Sequence, residues 1–210
     1  MNRIMNFSRT FLWLVALALP GMAVAASTDT TPEALIQSTS DDMLAVIART
    51  QDRAQLLQAV ETKVAPHFDF ARMTRLALGQ SWQQATPAQQ EVLAQEFRKL
   101  LVRTYTNAFA TVKERKATIK LAAAAAAAVA QKEVTVKTRL TPVGRQAISI
   151  DYSMESAAGG WKVIDVMVDG VSLVTNYRDS FATEIRNSGI AGLIKALTEK
   201  NRKNLAGATD

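Results

Sequence analysis

Few side chains in this sequence are able to do chemistry. There is one histidine, His67, and no cysteine. Thiolate catalysis, structural disulfides, zinc fingers and iron–sulfur clusters all need cysteine and are excluded, and a metal centre built from several histidines goes with them. A Ser-His-Asp arrangement needs one histidine and survives this count. His67, however, follows Pro66 between two apolar series, with Phe68 and Phe70 beside it, which are the surroundings of a structural histidine. Asp165 and Asp169 flank the end of an apolar run and could pair as acid and base, but Asp169-Gly170 is also ordinary turn chemistry. The G-x-S-x-G elbow, the P-loop, G-x-G-x-x-G and H-E-x-x-H are all missing from the sequence.

The 210 residues are 48% hydrophobic and 21% charged, a folded-protein composition of sufficient length for a core without staples. Arg3 and Arg9 precede the apolar run Phe11 to Leu19, Pro20-Gly21 breaks it, and Ala23-Val24-Ala25 supplies small residues at the right spacing. This reads as a secretory signal peptide over residues 1–25, cut after Ala25 or Ala26, since the run is too short to span a bilayer. Export without cysteine suggests the periplasm of a bacterium. Losing two arginines lowers the formal charge from +6 to +4. The bases Arg49, Arg53, Lys99, Arg103, Lys113, Arg115 and Lys116 are interleaved with acids and glutamines, so a solvated surface explains them better than a nucleic-acid track.

The remaining 26–210 read as one domain. Thr31-Pro32 starts a helix carrying Ile36, Met43 and Ile47 to about Thr50; Leu56, Leu57, Val60 and Val64 form a second series stopped by Pro66. Asp69 caps a short helix closed by Gly79. Thr86-Pro87-Ala88-Gln89 is a capping box that opens a long helix with the stripe Leu93, Phe97, Leu100/Leu101, Tyr105, Ala108/Phe109 and Val112. The period then changes to two. Val134, Val136, Thr138 and Leu140 alternate with polar residues, as do Ile148, Ile150, Tyr152 and Met154, and Thr141 to Gln146 joins the two strands. Gly159-Gly160 turns into a third strand, Trp161 to Val168, whose alternation puts Val163 and Met167 on one side and Ile164, Val166 and Val168 on the other. Ala117 to Leu121 predicts a further strand, and the seven alanines Ala122 to Ala128 a connection. After Asp169-Gly170 the chain returns to helix, with Val174, Tyr177, Phe181 and Ile185 in one stripe before Ser188-Gly189 and Ile190, Leu193, Ile194 and Leu197 in another.

The predicted fold class is therefore α+β: an antiparallel meander packed on one face by N-terminal and C-terminal helices. Its dry sheet face and long helix stripe either close on each other as a core or stand apart around a ligand.

Three ordered stretches bear on that choice. Phe70 to Trp82 (FARMTRLALGQSW), Ala85-Thr86-Pro87-Ala88-Gln89-Gln90 leading to Phe97, Leu101 and Tyr105, and Trp161-Lys162-Val163-Ile164-Asp165-Val166 with Asp169-Gly170-Val171-Ser172-Leu173 and Tyr177-Arg178 together resemble the MlaC, or toluene-tolerance, family of periplasmic phospholipid-binding proteins. The alanine run departs from the polar strand or connection expected there. The resemblance implies an apolar cavity between sheet and helices that takes acyl chains, with the head group near water. It implies lipid contacts at Leu78, Trp82, Phe97, Leu101, Tyr105, Val136, Ile150, Tyr152, Val166, Val171, Val174 and Tyr177. It further implies a monomeric shuttle without cofactor, metal or catalytic residue. Its partners would be phospholipid, an inner-membrane ABC transporter with an MCE-domain subunit, and an outer-membrane lipoprotein–porin complex. A small envelope enzyme using Asp165, Asp169 or His67, or an adaptor with a filled core, are the alternatives.

Overall fold

The computed structural model describes residues 30–110, 117–121, 132–142 and 146–206. The signal-peptide segment, Val112, Gly144 and the alanine run Ala122 to Ala128 lie outside the described residues.

Local chemistry sets the helix starts. In α1 (Pro32–Arg49) the Thr31 hydroxyl accepts from the Ala34 N–H at 3.2 Å, and in α2 (Arg53–Ala59) the Asp52 carboxylate accepts from Gln55 at 2.8 Å. Past α2 the apolar series continues as a wide turn at Val60–Val64 and a tight one at Ala65–His67, where Pro66 ends it. Asp69 caps α3 (Phe70–Leu78) through Arg72 N at 2.8 Å, and Gly79 closes it with φ 56, a left-handed conformation that favours glycine. The tight turn Gly79–Gln84 leads to α4 (Pro87–Ala110), whose capping box is reciprocal: Thr86 N donates to Gln89 Oε1 at 2.9 Å and Gln89 N to Thr86 Oγ1 at 3.3 Å.

Five strands follow, β1 (Ala117–Leu121), β2 (Glu133–Pro142), β3 (Ile148–Ala157), β4 (Gly160–Val168) and β5 (Val171–Ser172), paired antiparallel in chain order. Along the apolar face, Val136, Tyr152 and Val166 stand opposite one another across β2, β3 and β4, with Thr138, Ile150 and Val168 in the next row.

Strict alternation along β4 fails. Ser153 and Met154 are consecutive on β3 but oppose Asp165 and Val163, so Ile164 is an extra residue. The bulge reverses the parity and brings Val163 to the same apolar face as Val166 and Val168, not the opposite one. Beside it, the Val163 carbonyl accepts from Asp69 N at 3.0 Å and Phe68 bridges to Val163.

The last helix, α5 (Leu173–Ala206), is two helices joined at a kink, Gly189 having φ 67 and ψ −175. An added Cβ at Gly192 would come within 2.1 Å of Ser188 Cβ, so the turn after the kink closes tightly enough to require glycine there. The second half of α5 is tied down by polar groups. Asn201, 3% exposed, donates from Nδ2 to the Glu96 carbonyl at 2.9 Å and to Glu96 Oε2 at 2.8 Å, while Arg103 and Arg53 donate to the carbonyls of Asn201 and Asn204. Burial alone would raise the Glu96 carboxyl, but hydrogen bonds from Lys99 and Asn201 and the charges of Lys99 and Arg103 hold it below its ordinary range.

The interior divides into three apolar clusters. The helical cluster joins α3, α4 and α5 around Met73, Leu93, Phe97, Phe181 and Leu193. A second lies between α1, α2 and α4 around Met43, Leu56 and Val102. The third is on the sheet: Val136, Met154, Val163 and Val166, closed in part by Ile36 and Leu35 of α1.

Candidate functional site

The strand residues singled out from the sequence share one surface. Val136 and Val166 are buried in the sheet cluster, with Ile150 and Tyr152 half-buried against it. Burial raises the Tyr152 hydroxyl above its ordinary value, and a hydrogen bond with Ser40 of α1 works the other way. Val171 lies directly opposite Val168, which puts it on the same apolar side, but at the outer strand β5 it is 62% exposed.

The helical residues gather in the other body. Leu78, Phe97, Leu101 and Val174 are buried in the helical cluster, and Trp82, Tyr105 and Tyr177 pack half-buried around it. Phe97 meets Tyr177 edge-on at 4.9 Å and Phe181 at 5.2 Å between ring centres. The Tyr105 hydroxyl is pushed up to about 12 by burial, then by the neighbouring Tyr177 and Asp165, and burial also raises Tyr177. These two phenols therefore stay neutral at any physiological pH.

Seven helical and four strand residues thus fall into two apolar bodies, and Val171 stands exposed beside the second. Among the described residues, Phe68 is the one side chain packed against both. The aromatic and aliphatic groups of each body that are half-buried, including Trp82, Tyr105, Tyr177, Ile150, Tyr152 and Leu173, retain contact with solvent. Two apolar bodies with half-buried aromatic and aliphatic groups of this kind offer surfaces that hydrocarbon can cover.

The groups considered for catalysis are otherwise engaged. Asp165 Oδ1 accepts from Val166 N at 2.8 Å and Val174 N at 3.1 Å, and Oδ2 accepts from the Ser172 hydroxyl at 2.5 Å. Ser172 in turn accepts from Thr175 N at 3.0 Å, which makes it the N-cap of α5. Asp165 therefore fixes the passage from β4 through β5 into α5, a role that turn chemistry did not suggest. Asp169, at φ 47, accepts from Ser149 N at 2.9 Å and pins the turn to β3. His67 is lowered from 6.5 by burial and then by the charge of Lys162, whose ammonium donates to the Pro66 carbonyl at 2.7 Å. Sequence reasoning did not find Phe68 as the bridge, Asp165 as the junction, or Arg178, whose guanidinium donates to the Leu76 carbonyl at 3.0 Å behind Gly79. Phe68 stood in plain view next to His67; nothing local marked what it would touch.

The MlaC protein family model matches residues 37–199. The chain belongs to the MlaC family. Among its relatives is the toluene tolerance protein ttg2D of Pseudomonas putida, 24% identical over 187 residues, which cover 86% of this chain and 84% of that protein. A solved structure from Ralstonia solanacearum is 34% identical and superposes with a TM-score of 0.74, covering 82% of this chain and 98% of that one. That protein is described as a phospholipid-binding protein in complex with a phospholipid, at 1.53 Å. The antiparallel sheet with its helices is thus the MlaC architecture.

Proposed function

We propose that this protein carries phospholipid, its acyl chains lying between the apolar face of the sheet and the helical cluster. The observation that carries this reading is the division of these residues into a helical and a sheet cluster that share Phe68 and are rimmed by half-buried aromatics. The phospholipid held by the Ralstonia relative supports it. Leu78, Trp82, Phe97, Leu101, Tyr105, Val174 and Tyr177 form the helical wall; Val136, Ile150, Tyr152 and Val166 form the sheet wall, and Val171 stands at the rim.

Energy favours the assignment. A diacyl lipid has roughly 30 methylenes, and at about 0.8 kcal/mol each their burial is worth on the order of 24 kcal/mol before ordering costs. The tails supply that energy, so head-group selectivity is weak. No bond is made or broken, and the carboxylates of Asp165 and Asp169 are free to serve the backbone.

In this reading residues 1–25 direct export and are removed, and 26–210 act as a single monomeric carrier in the periplasm. It takes no cofactor, metal or nucleic acid. It exchanges lipid between an outer-membrane lipoprotein–porin complex and an inner-membrane ABC transporter with an MCE-domain subunit, and so maintains the lipid asymmetry of the outer membrane. Release at two membranes requires weak, polar docking. Organic extraction of purified protein should yield close to one phospholipid per chain, and delipidated protein should reload from liposomes. A chain that yields no lipid and takes up none would overturn the reading. Crosslinking in cells should capture an MCE-domain protein, and a strain without this chain should be detergent-sensitive.

A further inference from the structure

The formal charge of the chain is not spread along it. Of 25 basic and 19 acidic residues, eight and two respectively fall between Lys113 and Arg145, leaving seventeen of each sign for all the rest. The entire +6 therefore belongs to the region of β1 and β2. Within it, Lys120 on β1 stands directly opposite Arg139 on β2, and Lys137 lies two residues from Arg139 on the same side of the strand. All three are exposed, on the sheet face opposite Val136 and Thr138. Among the described residues none of the three is in an ion pair; Glu133, at the start of β2, is shared with Arg72 of α3 at 3.7 Å.

Like charges directly opposed across two strands disfavour the fold. Lysine on an edge strand discourages strand addition, which accounts for Lys120 on β1 and for Lys137, one residue beyond the last described β1–β2 pair, but Arg139 lies where β2 is paired on both sides and gains nothing of that kind. The cations stand among small polar groups: Thr141 opposes Thr118, Ser149 opposes Arg139, and Asp151 opposite Lys137 is the acid nearest to them in the register. On β1, β2 and β3 no large apolar side chain occupies this part of the face, Met167 of β4 being the first in the Lys137–Asp151 row, so the cations themselves lack the buried anchor on which a tight protein interface is built. An anionic surface whose charges can move to meet the cations needs no such anchor.

We propose that the solvent face of β1 and β2, through Lys120, Lys137 and Arg139, docks electrostatically on bilayers that contain anionic phospholipid. This goes beyond lipid carriage, because the face lies on the opposite side of the sheet from the apolar wall.

Co-sedimentation of the purified protein with phosphatidylcholine vesicles, with and without phosphatidylglycerol, tests it. The protein should bind the anionic vesicles in dilute buffer, and the binding should be lost in about 0.5 M salt, where the screening length shrinks to a few ångströms. Each cation contributes about a factor of five, so Lys120→Gln/Lys137→Gln/Arg139→Gln should bind on the order of a hundredfold more weakly while its extracted phospholipid stays unchanged. Lys195→Gln/Lys200→Gln/Lys203→Gln on α5 should bind as the parent does. The proposal fails if the parent ignores anionic vesicles, which would leave an acidic protein as the partner of this face. It also fails if salt has no effect, or if the two triple variants behave alike. Loss of extracted phospholipid from the parent would instead count against lipid carriage and leave the docking result standing.

Discussion

Asp165→Ala is the most informative single change at the junction between sheet and last helix. The carboxylate accepts from two backbone N–H groups, those of Val166 and Val174, and from the Ser172 hydroxyl. Hydrogen bonds to an ionised group are worth about 1.5–3 kcal/mol each, but Asp165 is half-buried, so water replaces part of what is lost. Val174 is 3% and Val166 8% exposed, and the N–H groups of both lose this acceptor. A net cost of about 3 kcal/mol follows for alanine. Asparagine keeps the Oδ1 acceptor for both N–H groups and can donate to the Ser172 oxygen, so it should cost about 1 kcal/mol. For a chain of this size those figures correspond to falls in Tm of about 6–12 °C and 2–4 °C. Thermal and urea unfolding of the three proteins measures them. Because Val174 and Tyr177 hang from the helix start that Asp165 secures, the alanine variant should also retain less phospholipid. An alanine variant within about 1 kcal/mol of the parent would refute the reasoning, as would an asparagine variant as damaged as the alanine one.

Gly192→Ala should destabilise by about 1–3 kcal/mol, despite the better helix propensity of alanine, because its Cβ would lie 2.1 Å from Ser188 Cβ; a more stable variant would show that the kink can open. The folded state holds the Glu96 carboxyl below its ordinary value of 4.5, so the stability it contributes is present above that pH and lost as pH falls through the folded value; Glu96→Gln should flatten the acid limb of a stability-against-pH curve, and an unchanged limb would contradict this. Val171→Glu should leave stability within about 0.5 kcal/mol, since 62% of the side chain is in water, yet lower phospholipid retention at the rim while Val171→Leu preserves it; equal retention by both would remove Val171 from the acyl path.

Features decided within a few residues were legible in the sequence. Thr31, Asp69 and the Thr86 to Gln89 box each cap the helix expected of them, and Ser188-Gly189 divides α5 where its two apolar stripes change. The two-residue β5 was too short to show a period. The parity of β4 was hidden for a different reason. The Ile164 bulge adjoins the place where Val163 receives the Asp69 N–H from a segment almost a hundred residues earlier, and no pattern within the strand reveals that. The candidate site was half legible in the same way. Alternation grouped Val136, Ile150 and Tyr152, and helical spacing grouped Phe97, Leu101 and Tyr105, but whether two apolar faces touch is a matter of distance. Phe68, placed by the fold between them, carries that answer.

Native mass spectrometry of the protein purified from cells tests lipid carriage most directly. A lipid carrier should give a main species heavier than the polypeptide by the mass of one phospholipid, converted to the bare chain after delipidation. A species at the bare polypeptide mass, both as purified and after incubation with phospholipid vesicles, would contradict it.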